Sequence, residues 1–160
     1  ERRAPDTEER DFRKVRGGLL VQDRDGDPEP REIMEAVTKT EPSEEQWRDM
    51  CFAWTVCRRV RSNAIVIAKD GATLGIGAGQ MSRVDSVRLA VEKSTSESLA
   101  GAAMASDAFF PFPDGPQLAI DAGITAIIQP GGSRNDPAVV AAADAAGVAM
   151  VLTGRRHFRH

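Results

Sequence analysis

The side chains best suited to chemistry gather near the end of this 160-residue chain. Its only two histidines, His157 and His160, stand in RRHFRH (155–160) beside Arg155, Arg156 and Arg159. Histidine moves protons near neutral pH, and the guanidinium fork matches a phosphate. The tail therefore reads either as a phosphate-binding and proton-handling group or as a solvated chain end. Phe158, in its middle, argues for burial. Upstream, SDAFFPFPDG (106–115) places Phe109, Phe110 and Phe112 within four positions, although the chain holds only 6 phenylalanines. Pro111 and Pro113 exclude regular helix or a central strand there. Flanked by Asp107 and Asp114, the segment is either a stiff wall for a flat heteroaromatic ring or a loop plugging the core.

Two glycine-rich stretches could bring backbone amides to an anion. GIGAGQ (75–80) lies between an expected strand and an expected helix, and PGGS (130–133) sits at an expected strand-to-helix turn. Each reads equally as a tight structural turn, and GIGAGQ lacks the spacing of a dinucleotide fingerprint. Arg83 opens the helix after GIGAGQ, where a cation opposes the helix dipole. It is either solvated or compensated by something anionic. Cys51 and Cys57 would sit about 9 Å apart along one helix, too far for a disulfide, and read as reduced core residues of a cytosolic protein. Neither a Ser/His/Asp set nor a zinc-ligand cluster emerges.

The elements that must carry these residues follow from periodicity. Residues 17–22 (GGLLVQ) predict a strand, residues 23–30 a loop, and residues 31–40 remain open between strand and helix. Ser43 and Gln46 form an S-x-x-Q capping box. Behind it, Trp47, Met50, Cys51, Trp54 and Cys57 make one buried helical stripe, with Arg58, Arg59 and Arg61 gathered in the last turn. NAIVIA (63–68), the Asp70-Gly71 turn and residues 72–76 predict a hairpin. A helix over 82–93 carries Val84, Val87, Leu89 and Val91. Residues 99–105 are small, apolar and read as helical. Residues 117–122 predict a helix stopped by Gly123. A βαβ unit then runs through 124–129, 137–146 and 148–153, so the expected sheet is mixed.

Length allows one domain with a sizeable core. An apolar fraction of 41% and a charged fraction of 28% are those of a soluble globular protein. A net charge of -3 gives no basic field for nucleic acid or an anionic membrane. No apolar run approaches the roughly 20 residues needed to span a bilayer, and the charged opening is no signal peptide. With no initiator Met and little core-forming sequence, residues 1–15 read as a linker or cut end, or else as a disordered terminus.

Taken together and in order, RGGLLVQDRD (16–25), RSNAIVIAKDG (61–71), GIGAGQMSRVDSVRLA (75–90), ASDAFFPFPDG (105–115), IIQPGGS (127–133) and RRHFRH resemble the AICAR transformylase/IMP cyclohydrolase family. The resemblance runs from about Arg16 to the end. It implies that residues 16–160 form the C-terminal subdomain of the transformylase domain, a three-layer α/β/α unit with a mixed sheet and a cytidine-deaminase-like fold lacking that fold's zinc. It implies formyl transfer from 10-formyltetrahydrofolate to AICAR, a cyclohydrolase domain elsewhere in the polypeptide, a cytoplasmic homodimer, and no nucleic-acid or membrane partner. By match to the family's motifs, Asn63, Phe109 and Arg156 contact AICAR, Arg156 near its phosphate. Arg83, Asp114, Ser133 and Arg134 lie on the folate side. His160 supports the reacting centre, and some members hold potassium near Asp107. Two departures stand out. Pro113 replaces a frequent arginine, and the family's catalytic K-H-x-x-P-A-G motif does not occur in this sequence, so the isolated chain is expected to bind but not to catalyse. A non-catalytic nucleotide- or folate-binding module and a purely interaction-bearing aromatic surface are the competing readings.

Overall fold

The computed structural model describes residues 10–26, 29–94 and 99–159. Among these, β1 (Arg10–Val15) and β2 (Gly18–Asp23) form an antiparallel hairpin whose residues are all exposed. The first strand lies inside the segment 1–15 expected as linker or cut end. After a 3-10 turn (Arg31–Ile33) come β3 (Glu35–Ala36), α1 (Glu44–Cys57), β4 (Ile65–Lys69), β5 (Ala72–Gly77) and α2 (Arg83–Glu92). The chain closes with β6 (Ala103–Ser106), α3 (Asp114–Asp121), β7 (Ala126–Gln129), α4 (Asp136–Ala145) and β8 (Ala149–Leu152).

Strands β3 to β8 form one six-stranded sheet in the order β3-β8-β7-β6-β4-β5. β6, β7 and β8 run parallel; β4 is antiparallel to β5 and β6, and β3 to β8. The sheet is mixed, as the hairpin and βαβ patterns predicted. Alternation along the strands divides the core in two. Ile65, Ile67, Met104 and Ile127 join residues of α2, α3 and α4, whereas Val66, Ala68, Ala105 and Ile128 join the α1 stripe.

Local chemistry explains the elements. The capping box at α1 is present: Ser43 Oγ accepts from the Gln46 amide at 3.2 Å and Gln46 Oε1 accepts from the Ser43 amide at 2.9 Å. Trp47, Met50, Trp54 and Cys57 are buried and Cys51 half-buried. Both thiols are free. Burial raises the pKa of each, that of Cys57 well above the ordinary value, so neither is an activated nucleophile. Asp70 and Gly71, both at positive φ, make the β4–β5 turn, and Asp49 accepts both of their amides at 3.0 Å.

Several expectations change. Residues 99–105 are not a continuous helix: Ala103–Ser106 is the buried strand β6. Alanine favours helix in isolation, but between β4 and β7 its small side chain leaves room for the tryptophans of α1, and burial overrides propensity. α1 ends before its arginines; Arg58 is the C-cap and is buried rather than splayed over the last turn. The buried face of α2 is Arg83, Ser86, Val87 and Ala90, with Val84, Leu89 and Val91 only half-buried. α3 begins at Asp114, three positions before the expected 117, because Pro113 is its N-cap and a proline is tolerated in the first turn of a helix.

GIGAGQ is loop only in its second half. Gly75 and Gly77 lie in β5, directly under α2. A Cβ at Gly77 would stand 1.9 Å from the Ser86 carbonyl oxygen, and one at Gly75 2.0 Å from that of Ala90. These glycines let the helix backbone touch the sheet.

Candidate functional site

That close contact fixes the start of α2, and Arg83 with it. Its guanidinium points into the protein, pairing with Asp107 and donating to Ser106 Oγ and Asn63 Oδ1, each at 2.8 Å. Asp107 is fully buried and is the anion that offsets Arg83 at the helix start. No external anion is needed for that purpose. The Asn63 amide is held on its other side too: Nδ2 donates to the carbonyls of Gln80 at 2.9 Å and Met81 at 3.2 Å.

The phenylalanines divide their roles. Phe110 is buried in the core, its amide donating to the buried Gln129 Oε1 at 3.0 Å. Phe109 is half-buried and Phe112 is 59% exposed. The segment is therefore plug and wall at once. Together with Asn63, Arg83, Asp114, Arg156 and Phe158, it lines an open cleft of about 570 Å³. That volume lies within the range of small-molecule sites.

Arg156 reaches this cleft from the tail, its guanidinium 5.4 Å from the Phe158 ring centroid. No carboxylate pairs with it among the described residues, in contrast to Arg83. Asp114 is exposed, and one carboxylate oxygen accepts the Gly115 amide at 2.8 Å. Ser133 and Arg134 do not line the cleft. Their loop is tied to it by Asn135 Nδ2, which donates to the Pro111 carbonyl at 2.7 Å. The two amides that PGGS offered to an anion, those of Gly132 and Ser133, already donate to Asp136 Oδ2 at 2.7 and 3.1 Å. His160 lies outside the described residues.

Sequence reasoning missed a second constellation. His157 is buried with Nδ1 2.6 Å from Asp25 Oδ1 and Nε2 3.1 Å from Glu29 Oε2. Trp54 donates to the same Glu29 oxygen at 3.0 Å, and its ring meets His157 edge-on. Burial pushes the Glu29 carboxyl up, but hydrogen bonds from His157, its own backbone amide and Trp54, with the His157 charge, together hold it below its ordinary value. The only sequence signal for this cluster was a histidine beside a buried-type phenylalanine. Asp25 and Glu29 sat in a stretch whose Asp, Gly and Pro content spoke only of a loop.

The site is thus an open cleft on a mixed-sheet α/β domain, with an aromatic wall and, among the described residues, an arginine at its edge that no carboxylate pairs. The sequence matches the family described as the AICARFT/IMPCHase bienzyme over residues 1–93. The chain belongs to that family. It is 56% identical to the bifunctional purine biosynthesis protein PurH of Cereibacter sphaeroides over 158 residues, covering 93% of this chain. It is 57% identical to the protein of that name from Dinoroseobacter shibae over 157 residues, 92% of the chain. With that of Anaeromyxobacter dehalogenans it shares 55% over 159 residues, 99% of the chain. The chain spans about 30% of the length of these curated relatives. No helix among the described residues is long and apolar enough to cross a membrane.

Proposed function

We propose that this chain is the C-terminal subdomain of an AICAR transformylase domain, with the α/β/α layering of the deaminase-like fold, and that it supplies one wall of the formyl-transfer site in purine biosynthesis. The observation that carries this reading is convergence. Asn63, Arg83, Phe109, Asp114 and Arg156, far apart in sequence, line one cleft.

Each group has a role its setting suits. Arg156, cationic and without a carboxylate partner among the described residues, takes the AICAR phosphate. Phe109 offers a ring face to the imidazole. Asn63, locked by Arg83 and two carbonyls, presents a fixed amide edge. Asp114 and the tied loop of Ser133 and Arg134 face the folate, with Arg83 holding the floor between the two ligands. In the reaction the 5-amino nitrogen of AICAR attacks the formyl carbon of 10-formyltetrahydrofolate. The bond from that carbon to the folate nitrogen breaks, and as the amine gives up a proton the departing folate nitrogen takes one up, giving tetrahydrofolate.

No lysine or histidine lines the cleft among the described residues. The general base and the charge-stabilising lysine therefore come from the rest of the polypeptide or from a second copy, with His160 in support. The Asp107 oxygen Oδ2 is buried and has no hydrogen-bond partner among the described residues. A hard oxygen donor of this kind fits a monovalent cation such as potassium, which would add positive charge beside Arg83.

The absence of a base at the cleft also favours a second reading, a nucleotide- or folate-binding module without catalysis. Formylation of AICAR assayed with the full-length protein separates the two. The reading expects turnover by the full-length enzyme and none by residues 1–160 alone. A full-length protein that binds AICAR but never forms formyl-AICAR would leave only the binding module.

A further inference from the structure

The formyl-transfer reading makes no use of the buried charges behind the tail. His157 is fastened three ways. Nδ1 faces Asp25, Nε2 faces Glu29, and its backbone amide donates to the Asp107 carbonyl at 3.0 Å. Carboxylate oxygens only accept, so both contacts are satisfied when both ring nitrogens carry a proton. Among the described residues, Arg58 also lies 3.8 Å from Asp25 and Arg155 3.6 Å from Glu29. Beyond it, Arg159 is pinned to Ser62 by backbone and side-chain hydrogen bonds at 2.9 Å.

The consequence lies one residue away. His157 is buried while its neighbour Arg156 is exposed on the cleft. An arginine loses much of its reach to disorder unless its backbone is held, and here the hold is applied at the adjacent residue. A buried imidazole between two carboxylates is also a poor device for stability alone, since apolar packing commonly does as well. What it adds is direction.

We infer that His157 is a positioning residue for substrate phosphate binding: clamped between Asp25 and Glu29, it holds the tail so that Arg156 faces the cleft. The inference rests on the reading that Arg156 binds the AICAR phosphate.

The test uses the full-length enzyme with Arg156→Ala, His157→Ala, His157→Gln and the double variant Arg156→Ala/His157→Ala. His157→Ala is expected to raise the KM for AICAR on the order of tenfold, with the KM for 10-formyltetrahydrofolate nearly unchanged. His157→Gln, which keeps one donor, recovers most of the loss. The double variant is no worse toward AICAR than Arg156→Ala. Multiplying effects in the double variant, or equal rises in both KM values, would overturn the positioning role and leave His157 as a structural residue. Should His157→Ala not fold, His157→Leu, which fills similar space without a donor, carries the same cycle alone and combined with Arg156→Ala. An unchanged AICAR KM in Arg156→Ala overturns the phosphate reading itself, and the inference with it.

Discussion

Two arginines line the same cleft and differ in almost everything else. Arg83 is buried, opens a helix, and spends its guanidinium on Asp107, Ser106 and Asn63. Arg156 is exposed, sits on an irregular tail, and has no carboxylate partner among the described residues. The first is part of the architecture that holds Asn63; the second, on the proposed reading, keeps its charge for a ligand. Residue type alone could not separate them. The separation comes from the buried carboxylate beside one and the open cleft beside the other.

The comparison breaks most visibly in stability. Arg83→Ala leaves Asp107 buried without its cation, and losing one partner of a buried pair costs about 3–5 kcal/mol. Denaturant unfolding of the full-length protein should show that loss, with Arg156→Ala within about 0.5 kcal/mol of wild type, as for an ordinary surface change. Comparable losses at the two positions would erase the distinction. A somewhat smaller effect is expected at the floor beneath Arg83. Gly77→Ala drives a Cβ into the Ser86 carbonyl, and overpacking of this kind costs about 1–3 kcal/mol. Because the displaced element is α2, the variant should also weaken AICAR binding through Asn63. An undisturbed melting temperature would show that α2 does not depend on that contact.

The sequence made much of this legible, for physical reasons that differ by element. Ser43 and Gln46 announce a helix start through a local hydrogen-bond pattern, and Asp70-Gly71 announces a turn through backbone sterics. Both hold in the structure. Residues 103–106 were misread because alanine's helical preference is a local property, whereas the strand is set by β4 and β7 on either side. The glycines of GIGAGQ and the amides of PGGS looked available to a ligand. Gly75 and Gly77 serve helix packing, and the Gly132 and Ser133 amides a carboxylate four and three residues away, neither of which a linear motif displays. Asn63, Arg83, Phe109, Asp114 and Arg156, singled out in the sequence, line one cleft, whereas Ser133 and Arg134 do not, and the division into plug, wall and clamp was not legible. Phe110 differs from Phe109 only in where the chain turns.

A middle-sized effect sharpens the Arg156 side. A hydrogen bond to a charged group contributes about 1.5–3 kcal/mol. Arg156→Ala should therefore raise the KM for AICAR roughly 10- to 100-fold, leave that for 10-formyltetrahydrofolate nearly unchanged, and leave the melting curve intact. Arg156→Lys should recover part of the loss, because a point charge replaces the fork. Loss shared equally between the two substrates would place Arg156 between them rather than at the phosphate.

The smallest effect belongs to Arg134, a third arginine that tests whether exposure alone is enough. Like Arg156 it is exposed, but it lies on the loop beside the cleft, not on its lining. Its charge can reach a folate only through solvent-screened contact, and such surface pairs contribute about 0.2–1 kcal/mol. Arg134→Ala should then raise the KM for 10-formyltetrahydrofolate by no more than about fivefold, less at high salt, without touching AICAR. If the change instead matched that of Arg156→Ala in size, the bound folate would have to draw the loop onto the cleft. Asn135, tethered to the Pro111 carbonyl, is the residue through which such a movement would pass. Removing that tether with Asn135→Ala should then weaken folate binding together with Arg134→Ala rather than independently of it.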